Sequence, residues 1–388
     1  MTELSLAMIV RNEAEDLEDC LQSVQSEVNQ IVVVDTGSTD ATKDIARNFG
    51  AEIYDFEWKN DFAAARNEAL KHVNGDWILQ LDADHRLKNK VDKSLPEQLE
   101  IIDALGLMIN EKTFLKNGNQ QNLSRLLLFK NIKSIKYQGA LHESPYDSLK
   151  QYARKNGIEP WLKKDDQIEI EHYSYADPEK KLKRNLAVLT KGLQNEPKNS
   201  QYRYNYLMTL RGLGRTEEYH KKLAEYIEEV FRDRGNYLYS EIGIIGLYLE
   251  DVVQKNKKIK PGYKNHIEEL GDTIDWRDLR IALPLSKVMS QNGDYEQAIN
   301  ILKQNIKNGL VDLKVPVNKS QKKDIFIQLF KLYEQKDQTE HVAKLLARLD
   351  SYLQKTDITT KSILEYLAQK DMDLFEKVYQ IMQVKTGG

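Results

Sequence analysis

The chain has 388 residues, 40% of them hydrophobic and 30% charged, which is enough apolar material for about two domains with substantial cores. Its formal net charge of −3 gives no basic excess that would point to a nucleic-acid partner, and its single cysteine, Cys20, excludes an internal disulfide or a thiolate metal cluster. No apolar run approaches the roughly 20 residues that a membrane helix needs, so a cytoplasmic protein with no transmembrane segment is expected.

Leu4 to Val10 is a compact apolar run that breaks into Arg11-Asn12-Glu13, which predicts a first strand and its exposed carboxyl end. Residues 14–26 place Leu17, Cys20, Leu21 and Val24 on one helical stripe, making Cys20 a buried hydrophobe rather than a reactive thiol. A second strand, Ile31-Val32-Val33-Val34, closes on Asp35-Thr36-Gly37-Ser38-Thr39-Asp40, where Gly37 permits a tight turn and Ser38 or Thr39 can cap the next helix. Ala51 to Phe56 reads as a third strand, and Asp61 to Leu70 as a helix.

The run Trp77-Ile78-Leu79-Gln80-Leu81-Asp82-Ala83-Asp84-His85 then reads as a buried strand that ends in two carboxylates. Side chains at i and i+2 of a strand face the same way, so Asp82 and Asp84 can address one ligand. Two hard oxygen donors so placed suit Mg²⁺ or Mn²⁺, above all when a substrate diphosphate completes the coordination. Four strands alternating with helices predict a mostly parallel α/β sheet, and ligands of open parallel sheets sit beyond the carboxyl ends of the strands. That rule gathers Asn12, Glu13, Asp35, Asp82 and Asp84 at one edge. No G-x-G-x-x-G follows the first strand, which argues against a dinucleotide site.

After Asp84 the alternation stops. Gly106–Phe114, Arg125–Phe129 and Ile135–Tyr137 read as strands, with Asn117-Gly118-Asn119 as a turn. Two histidine-bearing pieces follow, Gly139-Ala140-Leu141-His142-Glu143 and Ile168-Glu169-Ile170-Glu171-His172-Tyr173, with a lysine-rich loop expected between them. From Asp177-Pro178 onward the sequence is helical. Leu213-Gly214 with Tyr219, and Asn292-Gly293-Asp294-Tyr295 with Ala298-Ile299, punctuate tetratricopeptide-like hairpins, and Leu332 to Leu346 is a weaker third copy. Lys255 to Lys260 reads as a solvated loop. Such hairpins stack into a curved surface suited to an extended peptide; a structural cap, or a homodimer through the helical domain, is the alternative use.

Together, Arg11-Asn12-Glu13 after the first strand, Asp35 to Asp40, the helix Phe62-Ala63-Ala64-Ala65-Arg66-Asn67 and the Asp82-Ala83-Asp84 strand end resemble glycosyltransferase family 2, with its GT-A fold, over residues 3 to 175. With His142, Glu143, His172 and the repeats, the chain is similar to bacterial family 2 enzymes with tetratricopeptide tails, notably the sublancin-type peptide S-glycosyltransferases of glycocin biosynthesis. The resemblance implies an α/β GT-A domain at residues 1–175 and an all-α repeat domain at 176–388. It also implies an inverting, metal-dependent transfer of a hexose from a UDP-sugar, UDP-glucose favoured, to a Cys or Ser side chain of a peptide or protein. In that frame Asn12, Glu13 and Asp35 hold the uridine, Arg66 lies near the nucleotide, Asp82 contacts ribose or sugar, Asp84 binds Mg²⁺ or Mn²⁺, and His172 completes metal or diphosphate binding.

The chemistry asks for the same roles. Negative charge builds on a departing diphosphate, so a cation and fixed donors lower the barrier, and direct inversion needs an acceptor-side base, for which His142 and Glu143 are the candidates. The plainer alternatives are a helix cap for Glu13, an ion pair for Arg66 and structural roles for both histidines. His85 stands near enough to the aspartates to contact a sugar. Competing functions are synthesis of a cell-envelope glycan or lipid-linked saccharide, and a non-catalytic interaction scaffold.

Overall fold

In the computed structural model, described residues are 2–115, 120–174, 177–232, 238–260, 262–263, 267, 279–307, 319–338, 341–342, 345 and 360–386. They belong to two compact units, residues 1–202 and 203–388.

In the first unit, β1 (Leu4–Val10), β2 (Gln30–Asp35), β3 (Glu52–Asp55) and β4 (Trp77–Gln80) pair in parallel in the order β3-β2-β1-β4. Strand alternation sends Leu4, Leu6, Met8 and Val10 to one face and Ala7 to the other. The first face is covered by α1 (Leu17–Val24), through Leu17, Cys20, Leu21 and Val24, and by α4 (Leu95–Leu99). The second is covered by α3 (Phe62–Ala69), through Ala63 and Ala69, and by α5 (Tyr146–Asn156), through Leu149 and Ala153. With both faces buried, the strands are near-continuously apolar, as in Ile31-Val32-Val33-Val34.

The sheet continues past β4 with β7 (Gln120–Lys130), β6 (Gly106–Leu115), β8 (Leu162–Ser174) and β5 (His85–Asn89), making eight strands in one sheet. This half is antiparallel except for β6 beside β8. The α/β sheet expected of a GT-A fold is therefore present, parallel in its first half and mixed in its second.

Several local expectations change. Ile135–Tyr137 forms no strand; the chain there makes only a bridge between Gln138 and Ser144. The lysine-rich stretch between the two histidine pieces is not a loop but α5 and the start of β8, because Leu149 and Ala153 share an i, i+4 stripe that buries against the sheet. Ser38 and Thr39 do not cap α2 (Thr42–Asn48); Asp40 receives the Thr42 N–H at 3.0 Å instead. The Asn117-Gly118-Asn119 turn lies outside the described residues.

The unit ends with α6 (Pro178–Asn195), entered through Pro178 at its first turn and capped by Asp177, whose carboxylate accepts the Glu179 N–H at 2.9 Å. In the second unit the expected hairpins are present. Gly214, at φ 67°, joins α7 (Ser200–Gly212) to α8 (Thr216–Arg232), and Gly293, at φ 85°, joins helices 279–291 and 295–307. Leu283, Ala298, Leu302, Phe326, Phe330, Ile363 and Leu367 form a continuous core there. The third repeat begins in helix Lys319–Gln335, and most of its second half lies outside the described residues. Among the described residues no helix is long and apolar enough to cross a membrane.

Candidate active site

The stretch that follows β4 does not continue as a strand. The chain leaves the sheet after Gln80 and folds back so that the His85 N–H donates to the Asp82 carbonyl at 3.0 Å. Asp82 and Asp84 therefore do not share a strand face, as their spacing predicted. The turn instead aims each carboxylate at a different cation.

Asp82 faces Arg66. The guanidinium, 5% exposed on α3, donates through Nη2 to Asp82 Oδ1 and through Nε to Glu143 Oε1, both at 2.7 Å. Burial alone would raise the Asp82 carboxyl, but the Arg66 charge outweighs it and holds the group well below the usual carboxylate range. Glu143 reaches this cluster because Asn67, one residue beyond Arg66, clamps the incoming loop: its side chain accepts from Tyr137 N at 2.8 Å and donates to Tyr137 O at 3.0 Å. Tyr137 lies beneath, its hydroxyl donating to Gln80 Oε1 at 2.8 Å. His142 occupies the left-handed region at φ 58°, exposed and without a side-chain hydrogen bond among the described residues. The loop thus brings Glu143 into the cluster and leaves His142 at its rim.

Asp84 faces His172 of β8, with Nε2 3.1 Å from Oδ2. On its other side His172 Nδ1 lies 3.3 Å from Glu111 Oε1, and Glu111 is 2% exposed on β6. Burial lowers the imidazole's proton affinity, but the two flanking carboxylates raise it further, to a pKa of about 9. His85 completes the group. Asp84, His85 and His172 each offer a ligand atom, all within 4.8 Å of one another. An oxygen and an imidazole nitrogen side by side, both partly open to solvent, fit a divalent cation whose remaining positions a diphosphate would fill.

Asp35 lies at the end of β2 and is 1% exposed. Its Oδ1 accepts the N–H groups of Gly37 and Ser38 at 2.9 Å each, while Oδ2 is buried with no hydrogen-bond partner among the described residues. A buried unpaired carboxylate oxygen at a sheet edge is costly unless a ligand donates to it. Asn12, at φ 55°, is spent within the protein: Oδ1 accepts the Thr39 N–H at 2.8 Å, and Ser38 Oγ accepts the Asn12 N–H at 2.9 Å. It stitches the β1 loop to the β2 loop. Glu13 has no side-chain hydrogen bond among the described residues; burial, aided by Asp84, Asp16 and Asp82, pushes it up to about 7. It does not cap α1, which starts after Asp16.

The site also holds residues that sequence reasoning passed over. Glu111 left a signal: Leu107, Ile109, Glu111 and Thr113 alternate along β6 and all four are buried, so a carboxylate sits in the core register of a strand. Arg125 comes next to it, Nε 3.6 Å from Glu111 Oε2. Arg184 left no signal beyond being one cation on an amphipathic helix. Its guanidinium stacks over Phe62 at 4.9 Å, makes no ion pair among the described residues, and feels the charges of Asp82, Glu13, Glu143 and Asp84.

Residues 5–147 match the family model described as glycosyl transferase family 2. A TPR repeat-containing protein of Synechococcus elongatus is 43% identical over 150 residues, which is 38% of this chain and 37% of that protein. The glycosyltransferase SunS of Bacillus phage SPbeta is 26% identical over 265 residues, 64% of this chain and 59% of its own. The chain therefore spans between 37% and 59% of the length of these relatives. Among solved structures, Staphylococcus aureus TarS 1–349 in complex with UDP-GlcNAc aligns over 76% of this chain and 92% of that chain, at 16% identity and a TM-score of 0.39.

Proposed function

With a glycosyltransferase family 2 domain at residues 5–147 as the premise, we propose that the chain is an inverting, metal-dependent glycosyltransferase that moves a hexose from a UDP-sugar to a Cys or Ser side chain of a peptide or protein. The observation that carries this is the division of labour at the sheet edge. An orphaned acceptor on Asp35, a cation-ready Asp84–His172 pair and an Arg66–Asp82–Glu143 cluster are its three parts.

In this reading Asp35 Oδ2 accepts from the uridine. Asn12 shapes that end of the pocket through Thr39, and Glu13 lines it. Asp84 and His172 would hold Mg²⁺ or Mn²⁺, which when bound supplies positive charge against the departing diphosphate. Asp82, fixed by Arg66, addresses ribose or sugar. Arg184 is the open guanidinium over Phe62 that meets the diphosphate anion. Glu143, which the loop holds inside the cluster, is taken as the acceptor-side base ahead of His142 at its rim; a thiol acceptor, with an ordinary pKa near 8.5, asks less of that base than a serine does. The peptide acceptor rests on the resemblance to peptide S-glycosyltransferases and on the helical hairpins, which offer an extended chain a surface. UDP-glucose is the preferred donor in this proposal.

Incubating the protein with a panel of UDP-sugars and Cys- or Ser-bearing peptides, read by intact mass, tests it. A metal-dependent hexose adduct on a peptide is expected, lost in Asp84→Ala and reduced in Glu143→Gln more than in His142→Ala. Sugar transfer confined to water or lipid would overturn the peptide reading.

A further inference from the structure

Three candidate ligands surround the cation position proposed above, but hydrogen bonding distinguishes them. The backbone N–H of Asp82 points at His85 Nδ1, 3.2 Å away. A backbone N–H can only donate, so Nδ1 must present its lone pair, and the single proton of the neutral ring sits on Nε2. The Nε2 of His85 is the atom nearest Glu111, 3.9 Å from Oε2. An Nε2 that carries a proton has no lone pair for a metal.

His172 is the reverse. Its Nδ1 faces Glu111 Oε1 at 3.3 Å, a carboxylate that can only accept, so the proton stays on Nδ1. Its Nε2, 3.1 Å from Asp84 Oδ2, also faces an acceptor, so without a cation it carries a second proton; a cation on that side displaces this proton and takes the lone pair, while Nδ1–H stays on Glu111. Register explains why one acid serves both rings. Thr113 of β6 is the partner of His172 on β8, and His172 is the partner of His85 on β5, while Glu111 sits two residues before Thr113 on the same buried face. Thr113 Oγ1 donates to Glu111 Oε1 at 3.2 Å and fixes the carboxylate beneath the two rings.

We infer that Glu111 is the positioning residue of this centre: by accepting from Nδ1 of His172 and facing Nε2–H of His85, it makes His172 a cation ligand with Asp84 and keeps His85 out of the coordination shell. His85 then serves to hold the 82–85 turn that separates the two aspartates. The inference rests on the cation reading of the preceding subsection. A carboxylate behind a ligating imidazole typically accounts for about 10- to 100-fold in metal affinity.

The test uses the full chain with Mn²⁺ and UDP. Pulsed EPR of the bound Mn²⁺ in protein labelled with ¹⁵N-histidine counts coordinated imidazoles without any substitution. One coupled nitrogen, abolished by His172→Ala and kept in His85→Asn, is expected. Two coupled nitrogens, or one that His85→Asn removes, overturn the assignment while leaving the cation site standing; absence of bound Mn²⁺ overturns both. In parallel, Glu111→Gln is expected to weaken Mn²⁺ about 10- to 100-fold, with Glu111→Asp recovering part of the loss. Unchanged Mn²⁺ affinity in Glu111→Gln, in protein with native circular dichroism, would assign Glu111 a purely structural role.

Discussion

Replacing Arg66 by methionine removes the cation that, among the described residues, pairs with both Asp82 and Glu143. Taking away one partner of a buried ion pair typically costs about 3–5 kcal/mol, because a charge is left without compensation. The Glu143 contact carries most of that, since the two side chains are 6% and 13% exposed. The Asp82 contact counts for less, under about 1 kcal/mol, because that side chain is 39% exposed and screened by water. We therefore expect a loss near the low end, about 3 kcal/mol at pH 7.5, or roughly 6–12 °C in the first thermal transition for a unit of this size.

The pH dependence has a definite sign. In the wild type the depressed Asp82 group contributes stability at every pH above its unfolded pKa of about 3.9, and this is lost only as pH falls through its lower folded value. In the variant that counter-charge is gone, so the Asp82 carboxyl is no longer held down and takes up its proton at a higher pH than in the wild type, which relieves part of the penalty. The gap between wild type and Arg66→Met should narrow from pH 7.5 to pH 5, and the triple variant Arg66→Met, Asp82→Asn, Glu143→Gln should recover most of the loss. Differential scanning calorimetry across this range reads it. A deficit below about 0.5 kcal/mol, or one that does not depend on pH, would refute the reasoning.

Glu13, pushed up to about 7, binds its proton more tightly folded than unfolded, so stability of the metal-free wild type falls as pH rises from about 4.5 to 7. Glu13→Gln should therefore be more stable than the wild type by about 2 kcal/mol at pH 8 and equal to it near pH 4.5, by thermal unfolding in a chelator. Arg184→Ala should weaken UDP about 10-fold, the worth of one charge-assisted contact, and leave the thermal transition in place; calorimetric titration with UDP, alongside a melting curve, checks both. Leu149→Ala, at a position with no exposed surface, should cost about 2–4 kcal/mol by leaving a cavity under the sheet, and a melting transition shifted by less than 2 °C would contradict the packing of α5.

The first half of the first unit was legible because its strands are buried on both faces and its helices carry plain 3.6-residue stripes, as at Leu17, Cys20, Leu21 and Val24. The sheet-edge rule then brought Asp35, Asp82 and Asp84 to one side. The second half was less readable. β5 begins at His85, directly after a turn, and it pairs with a distant strand, His85 opposite His172 and Asn89 opposite Ile168, a contact no local pattern announces. α5 was hidden because its polar face holds Lys150, Arg154 and Lys155, while only Leu149 and Ala153 are buried. The roles of Asp82 and Asp84 separate for a reason that spacing does not reveal: the turn sends one carboxylate to α3 and the other to β8. Glu111 alone was within reach, as an acid in a buried strand register that otherwise holds Leu107, Ile109 and Thr113.

Calorimetric titration of UDP into the full chain, with and without Mn²⁺, addresses the central claim most directly. The account predicts binding that Mn²⁺ strengthens and that Asp84→Ala reduces to the metal-free level. Equal binding by wild type and Asp84→Ala in saturating Mn²⁺ would contradict it.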